Sequence, residues 1–257
     1  MSTSALCLHR GALRVSRQEL DRYQPPAPTA TWFPVAHGAV LETALNRLGE
    51  AGYRVRSTDL GVSQDGHRFF GTLDLDTTLA PGVSLAVGIR NSTDKTFPLG
   101  FCAGHRVFVC DNLAFRSELL MRKRHTRYGE LRFGNAISDA VISLQSFAET
   151  ETQRVLRMQF EELTDDRAHA LILKAYLREL VSFKLLHEIV RQWEQPAYAE
   201  WGSKTVWRLA NAFTWAMADV AKRNPADYAT RTIRLNQLLA PMSDGDGPEP
   251  APLALAA

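Results

Sequence analysis

The spacing of apolar residues changes once along this 257-residue chain, and that change limits the folds open to it. From Tyr53 to Cys110 the period is two, as where Leu73 and Leu75 alternate with polar neighbours. From Ile137 onward, apolar residues recur at every third or fourth position. A period of two is typical of half-buried strands, and a period near 3.6 is typical of amphipathic helices. The chain therefore predicts an α+β fold, with a sheet from its first half and helices from its second.

The first half predicts one helix and an antiparallel sheet of about four strands. The helix covers the apolar positions from Ala39 to Leu48. Turn signals at Asp65-Gly66 and Pro81-Gly82 separate the strands that follow. The predicted strands are Tyr53 to Ser57, Phe69 to Thr77, Val83 to Ile89 and Phe101 to Val109.

The second half predicts three helices. They run from Ile137 to Phe160, from Asp165 to Leu186, and from an N-cap at Ser203 to Asn224-Pro225. The proline-rich segment 24–28 predicts an extended arm, and the Gly-, Pro- and Asp-rich C-terminus predicts disorder. We therefore expect an arm over 1–35, a single α+β domain over 36–240 with its sheet at 53–112 and its helical part at 136–224, and a disordered tail over 241–257.

Net charge and cysteine content restrict the partners and the compartment. The 30 Lys and Arg residues nearly balance the 28 Asp and Glu residues, which leaves a net charge of +2. So weak a field does not draw the whole molecule onto nucleic acid or an anionic membrane, so any basic surface has to be local. Three cysteines in a chain of this length are typical of a reducing compartment. Because no stretch approaches the roughly 18 apolar residues of a membrane span, we expect a cytoplasmic protein with no membrane partner.

Three polar segments follow one another in the middle of the chain. They are Asn91-Ser92-Thr93-Asp94, the stretch from Gly104 to Asn112, and Arg124-His125-Thr126. Together with the segment from Trp207 to Trp215, they resemble a family of phage and plasmid-like proteins that is catalogued as a domain of unknown function. The resemblance covers residues 37–223. It implies a gene carried by mobile elements, with replication, recombination or host defence as the usual context, and it implies no catalytic residues.

The segment from Arg116 to Arg132 is the candidate binding surface. Six of its residues are Arg or Lys, two are Glu, and aromatic residues lie among them. Arginine forks bind phosphates and aromatic rings stack on unpaired bases, so this composition is typical of a surface that binds single strands. The alternative is a solvated loop whose arginines pair with the acidic helices that follow. The predicted nucleic-acid-binding residues are Arg106, Arg122, Lys123, Arg124, His125, Arg127, Tyr128 and Phe133.

The predicted function is therefore nucleic-acid binding, and single-stranded DNA is the favoured partner. No catalytic residue, cofactor or metal is assigned. Arginines on the predicted strands, such as Arg54, Arg68 and Arg90, would add positive charge if they faced the same groove.

A zinc site is one alternative for the middle of the chain. Cys102, His105 and Cys110 have C-x2-H-x4-C spacing, and His125 would complete a tetrahedral set. On a strand, however, both cysteines face one side and His105 faces the other. Packing of the two cysteines in the core is the competing interpretation.

A magnesium-dependent enzyme acting on nucleic acid or nucleotide is a second alternative. Asp74 and Asp76 lie two apart on a predicted strand, and Asp94 in the following turn would approach them. Three such carboxylates would hold magnesium for phosphodiester hydrolysis. The polar solvent face of an ordinary strand is the competing interpretation.

Two further groups of residues are open to a structural or a functional interpretation. One group would either bond its own backbone in turns or contact a ligand, and it consists of Asn91, Ser92, Asp94 and Asn112. Aromatic residues at near-helical spacing are Trp193, Trp201, Trp207 and Trp215. These tryptophans are either core or, where exposed, an interface for a homo-oligomer or for a protein-binding defence or counter-defence module.

Overall fold

The computed structural model describes residues 12–107, 113–115 and 121–240, and it confirms the α+β class. The described strands form one antiparallel sheet in the order β1-β2-β3-β4-β5-β6, and β7 pairs with β5 off that path. The strands are β1 (Leu13–Arg14), β2 (Val55–Val62), β3 (Arg68–Ala80), β4 (Val83–Ser92), β5 (Leu99–Val107), β6 (Leu113–Phe115) and β7 (Met121–Lys123).

The four predicted strands correspond to β2, β3, β4 and β5. The described sheet has seven strands instead of about four, because β1, β6 and β7 are only two or three residues long and show no alternation in sequence. The two predicted turns contain Gly66 and Gly82, whose φ angles are +75° and +74°. Glycine adopts this left-handed region without a Cβ clash, which explains why both hairpins turn there.

One face of the sheet forms the core. Phe69 and Leu73 of β3 and Leu85 of β4 have no exposed area. Helix α1 (His37–Glu50) packs against β4, and helix α3 (Leu144–Phe160) packs against β3. Because successive strand residues point to opposite faces, the residues between these positions form the opposite face, which we denote the outer face. Polar residues of the outer face include Thr72, Asp74, Ser84 and Arg106.

The structure divides each of the three predicted helices. The remaining helices are α2 (Gly129–Ile142), α4 (Asp165–Leu177), α5 (Phe183–Glu194), α6 (Val206–Ala216), α7 (Ala218–Arg223) and α8 (Pro225–Leu238). Ser143 separates α2 from α3, and its hydroxyl donates to the Asp139 carbonyl at 3.2 Å. Glu179, with φ of +57°, turns the chain between α4 and α5. No helix in the described part of the chain is both long enough and apolar enough to cross a bilayer.

The prediction that Ser203 caps the third helix is wrong. The N-cap is Thr205, whose Oγ1 accepts from the Arg208 N–H at 3.4 Å. Asn224-Pro225 does end a helix, α7, but it also begins α8. Asn224 Oδ1 accepts from the Asp227 N–H at 3.2 Å, and a proline at the first helical position lacks an N–H that would need a partner.

The described part of the predicted arm packs on the rest of the fold. β1 pairs with β2, and a 3-10 helix over Gln18–Arg22 places Leu20, which is 1% exposed, beside α1. The predicted tail over 241–257 lies outside the described residues. That residues 36–240 form a single domain stays a prediction.

Candidate functional site

A tight turn connects β7 to α2 and carries the centre of the predicted basic segment. We denote residues 123–128 the basic turn. The Thr126 N–H donates to the Arg124 carbonyl at 3.0 Å, and the Gly129 N–H donates to the Thr126 carbonyl at 2.7 Å. A Cβ on Gly129 would lie 3.0 Å from the Arg124 carbonyl oxygen, so this close approach favours glycine. The Phe33 N–H donates to the His125 carbonyl at 3.1 Å and fastens the turn to the arm.

The inner side of the basic turn is desolvated. His125 is 6% exposed, its ring lies 6.3 Å from that of Trp32, and burial lowers the pKa of His125. Neither His125 ring nitrogen has a hydrogen-bond partner among the described residues, and the same holds for Trp32 Nε1 and Thr126 Oγ1. Burial of the ring, which also favours its neutral form, gives no support to the prediction that His125 contacts nucleic acid, and that assignment stays a prediction.

The outer side of the basic turn carries solvent-exposed cations. The Arg124 and Arg127 side chains are exposed, and within the described residues they form no ion pair or hydrogen bond. Tyr128 is 59% exposed and Lys123 is half-buried. The structure thus brings four predicted residues together at one surface. Arg122 precedes them in β7, opposite Gly100 in the backbone register.

Two other predicted binding residues, Arg106 and Phe133, are buried, which gives their assignments no support. Arg106 is 5% exposed, and its guanidinium donates to Asp74 Oδ2 and to Thr72 Oγ1, both at 3.0 Å. A phosphate would have to displace these buried partners. Phe133 has no exposed area and lies in the core on α2, so it has no free face for a base. The helical spacing of Phe133 and Ile137 was a signal of burial that composition alone did not reveal.

Three arginines of the strands, Arg14, Arg54 and Arg68, do not extend the basic surface, because carboxylates neutralise them. Arg54 pairs with Asp76 at 2.6 Å, and Arg68 pairs with Asp65 at 3.2 Å. Arg14 pairs with Asp59, and Arg68 also lies 3.4 Å from Asp94. Hydrogen bonds from Ser63, the His67 N–H and Arg68 lower the pKa of Asp65 to about 2, so it stays charged near neutral pH. These paired arginines differ from Arg124 and Arg127, which have no carboxylate partner among the described residues. Of the arginines compared here, the two that are available to a ligand are therefore those of the basic turn.

Asn91 is a structural residue. Its amide donates to the Val35 carbonyl at 2.8 Å and to His37 Nδ1 at 2.9 Å, and Asn91 has no exposed area. His37 Nε2 lies 3.1 Å from the Gly66 carbonyl, and burial lowers the pKa of His37 to about 4. These bonds join the end of β4 to the start of α1 and to the first hairpin.

Ser92 and Asp94 stabilise the turn between β4 and β5. Ser92 Oγ donates to the Phe97 carbonyl at 2.7 Å and accepts from the Phe97 N–H at 3.1 Å. Asp94 Oδ1 accepts from the Thr96 N–H at 3.0 Å. The structural interpretation therefore accounts for the polar atoms of both residues. Asn112 lies outside the described residues.

Neither metal alternative gains support. Among the described residues, no three His, Cys, Asp or Glu side chains are arranged to hold a metal ion. Asp74, Asp76 and Asp94 each lie against a different arginine. Cys102 is half-buried with its thiol 3.8 Å from the Gly88 carbonyl, and Cys110 lies outside the described residues.

A buried charged cluster on the core face escaped the sequence reasoning. His105 Nδ1 lies 2.8 Å from Glu151 Oε1, and Arg154 donates to both oxygens of that carboxylate at 2.9 and 2.7 Å. Burial alone would raise the pKa of Glu151, but hydrogen bonds from Arg154 and His105 hold it well below its ordinary range. The His105 ring also packs 5.8 Å from that of Trp207. The cluster thus attaches α3 to β5, and its contacts describe a structural role.

The tryptophans belong mainly to the helical core, as one of the two interpretations predicted. Trp193, Trp201 and Trp207 are at most 4% exposed, and Trp215 is half-buried. The Trp201 and Trp215 rings lie 6.1 Å apart, edge to face. They leave no exposed tryptophan seam among these positions.

An open groove of about 840 Å³ lies away from the basic turn, between the end of α1, the end of β3 and α3. Its described lining contains threonines, glutamines, Tyr53 and Glu149, but no Lys or Arg. Burial, and next the charge of Glu149, raise the pKa of Tyr53. A groove of this composition offers phosphates no positive charge.

Comparison with known proteins returned no matching family model, no matching curated protein and no matching solved structure. The functional conclusions therefore depend on the residues and the geometry of this chain.

Proposed function

We propose that this protein binds nucleic acid, with single-stranded DNA favoured, through the basic turn, and that it does so without catalysing a reaction. One observation carries the proposal: Arg124 and Arg127 are exposed and unpaired among the described residues, whereas Arg54, Arg68 and Arg106 are held by carboxylates. A guanidinium without an internal partner gains a charge-assisted bond on meeting a phosphate and loses none.

The neighbouring side chains support the same proposal. Tyr128, at 59% exposed, provides an aromatic ring on which a base would stack. Lys95 is exposed on the adjacent turn, with its Nζ 4.9 Å from the Trp32 ring. Backbone hydrogen bonds hold the turn in place before any ligand binds, which limits the entropy lost on binding.

The biological setting proposed here comes from the sequence. The resemblance of the segments at 91–94, 104–112 and 124–126 to phage and plasmid-like proteins supports a role in replication or recombination of a mobile element. The three cysteines support a cytoplasmic location.

Fluorescence anisotropy with a labelled single-stranded oligonucleotide tests the proposal. Replacing Arg124 and Arg127 by Ala removes two charge-assisted bonds and should weaken binding about tenfold or more per arginine at low salt. The matched control replaces Arg47 and Arg191, which pair with Glu50 and Glu188. The control has the same net charge as the test variant. Equal losses in the two variants would show that only total charge matters and would refute the assignment to the turn.

A second candidate function is protein binding, either self-association or a defence or counter-defence contact. The observation that favours it is the apolar corner between α4 and α5, where Leu173, Leu177 and Phe183 are 54%, 69% and 74% exposed. Sedimentation at several concentrations tests self-association. A monomer–dimer equilibrium that Leu177→Glu abolishes and Phe160→Glu leaves intact would support it, and a monomer at every concentration would exclude it.

A further inference from the structure

A row of backbone partners crosses the sheet from β1 to β7, and its members from Arg14 to Gly100 lie on the outer face. Residues that pair directly across neighbouring strands lie on the same face, so each member of the row is beside the next. The successive backbone partners are Arg14, Gly61, Phe70, Arg90, Gly100 and Arg122. The row runs at right angles to the strands and ends two residues before Arg124. At about 3.3 Å per residue, that is a distance of about 7 Å along the chain.

The centre of the row is an aromatic cluster with a guanidinium. A Cβ on Gly100 would lie 2.9 Å from Cγ and Nε of Arg90, so the Arg90 side chain lies directly over the Gly100 backbone. The Arg90 guanidinium carbon is 5.2 Å from the centre of the Phe97 ring, and the Phe97 ring is 5.2 Å from the Phe70 ring. All three side chains are half-buried, so part of each remains open to solvent. We denote Phe70, Arg90 and Phe97 the stacking cluster.

The stacking cluster adjoins the basic turn through the loop between β4 and β5. That loop carries Phe97 and also Lys95, whose ammonium lies 4.9 Å from the Trp32 ring. Trp32 in turn packs 6.3 Å from the His125 ring. The contacts of Lys95 with Trp32 and of Trp32 with His125 therefore lead from this loop to the basic turn.

The charges near the stacking cluster favour the basic turn as the place for phosphates. Arg68, two residues before Phe70 on β3, is neutralised by Asp65 at 3.2 Å and by Asp94 at 3.4 Å. Arg124 and Arg127 of the basic turn are unpaired among the described residues. A nucleic-acid backbone would therefore follow the basic turn and direct its bases toward the rings.

We propose that the stacking cluster binds unpaired bases of a single strand whose phosphates contact the basic turn. This inference rests on the proposed function and names its substrate class. Aromatic faces and a guanidinium plane stack on every base, so the surface would bind single strands with little sequence preference. Duplex bases have no free faces, so a duplex would contact the basic turn alone and bind more weakly.

The test compares an oligothymidylate with a duplex of equal length by fluorescence anisotropy. Phe97→Leu keeps the apolar packing and removes the ring, and should lower single-strand affinity at least about fivefold while leaving duplex affinity and the salt dependence unchanged. Phe160→Leu is the matched control, because Phe160 is 81% exposed at the end of α3 and should bind as the wild type does. Arg90→Lys keeps the charge, loses the plane, and should show the same selective loss even if Phe97→Leu fails to fold.

The outcomes separate this inference from the function on which it rests. Equal wild-type affinity for single strand and duplex, or normal single-strand binding by folded Phe97→Leu and Arg90→Lys, would overturn the stacking cluster and leave the basic turn intact. Wild-type protein that binds neither oligonucleotide would instead refute the proposed function.

Discussion

His37 makes the stability of the fold depend on pH between about 4 and 6.5. The Asn91 amide donates to His37 Nδ1 at 2.9 Å, so that nitrogen carries no proton, and Nε2–H is the donor to the Gly66 carbonyl at 3.1 Å. If Nδ1 were protonated, its N–H and the Asn91 amide N–H would face each other, and His37, which has no exposed area, could not turn to water instead. Burial accordingly lowers the pKa of His37 from 6.5 to about 4.

The sign of the effect follows from proton binding. Between pH 6.5 and about 4 the unfolded chain carries a proton on His37 and the folded chain does not, so the free energy of unfolding falls as the pH falls. A pKa lowered from 6.5 to about 4 corresponds to about 3 kcal/mol in all, of which about 2 kcal/mol is lost between pH 7 and pH 5.

Urea unfolding at pH 7 and pH 5 measures this loss, with His37→Gln as the variant that cannot titrate. His67 and His125 lower the pKa of His37 by their charge and Asp94 raises it, and burial lowers the pKa of His125 as well. A second variant, His125→Gln, therefore measures how much His125 contributes to the pH dependence of the free energy of unfolding. The wild type should lose about 2 kcal/mol more than His37→Gln between the two pH values. The same pH dependence in both proteins would refute the reasoning.

Two further substitutions test the packing described above by urea unfolding at neutral pH. Glu151→Ala leaves the buried Arg154 without its carboxylate and should cost about 3–5 kcal/mol, whereas exposed Glu149→Ala on the same helix should cost under about 0.5 kcal/mol. A loss below 1 kcal/mol for Glu151→Ala would contradict the buried pair. Thr205→Ala removes the N-cap of α6 and should lower the free energy of unfolding by about 1 kcal/mol, whereas Ser203→Ala should leave it unchanged. A larger loss for Ser203→Ala than for Thr205→Ala would show that Ser203 is the cap.

The long strands were predictable because their alternation is a local property. β3 is 13 residues long and alternates core residues such as Leu73 with outer-face residues such as Asp74. The breaks between helices were not predictable in the same way. Apolar spacing continues through Ser143 and Glu179, and the chain turns there for reasons that the apolar pattern does not contain.

The site was predictable only in part, because burial depends on strand register. The composition of 116–132 located the basic turn, but nothing near Arg106 in sequence shows that Asp74, 32 positions away, would neutralise it. The pairing of His105 with Glu151 spans 46 positions and is equally invisible in a local pattern. By contrast, few acidic residues are near Arg124 and Arg127 in sequence, and neither arginine has a carboxylate partner among the residues that the structure describes.

The salt dependence of binding tests the central claim most directly. For single strands, the slope of log K against log salt is about −0.7 for each phosphate that a protein neutralises. If Arg124 and Arg127 each contact a phosphate, replacing both by Ala should make the slope shallower by about 1.4, and replacing Arg47 and Arg191 should leave it unchanged. A wild-type affinity that does not change with salt, or a slope that the Arg124 and Arg127 substitutions leave unchanged, would contradict the assignment of nucleic-acid binding to the basic turn.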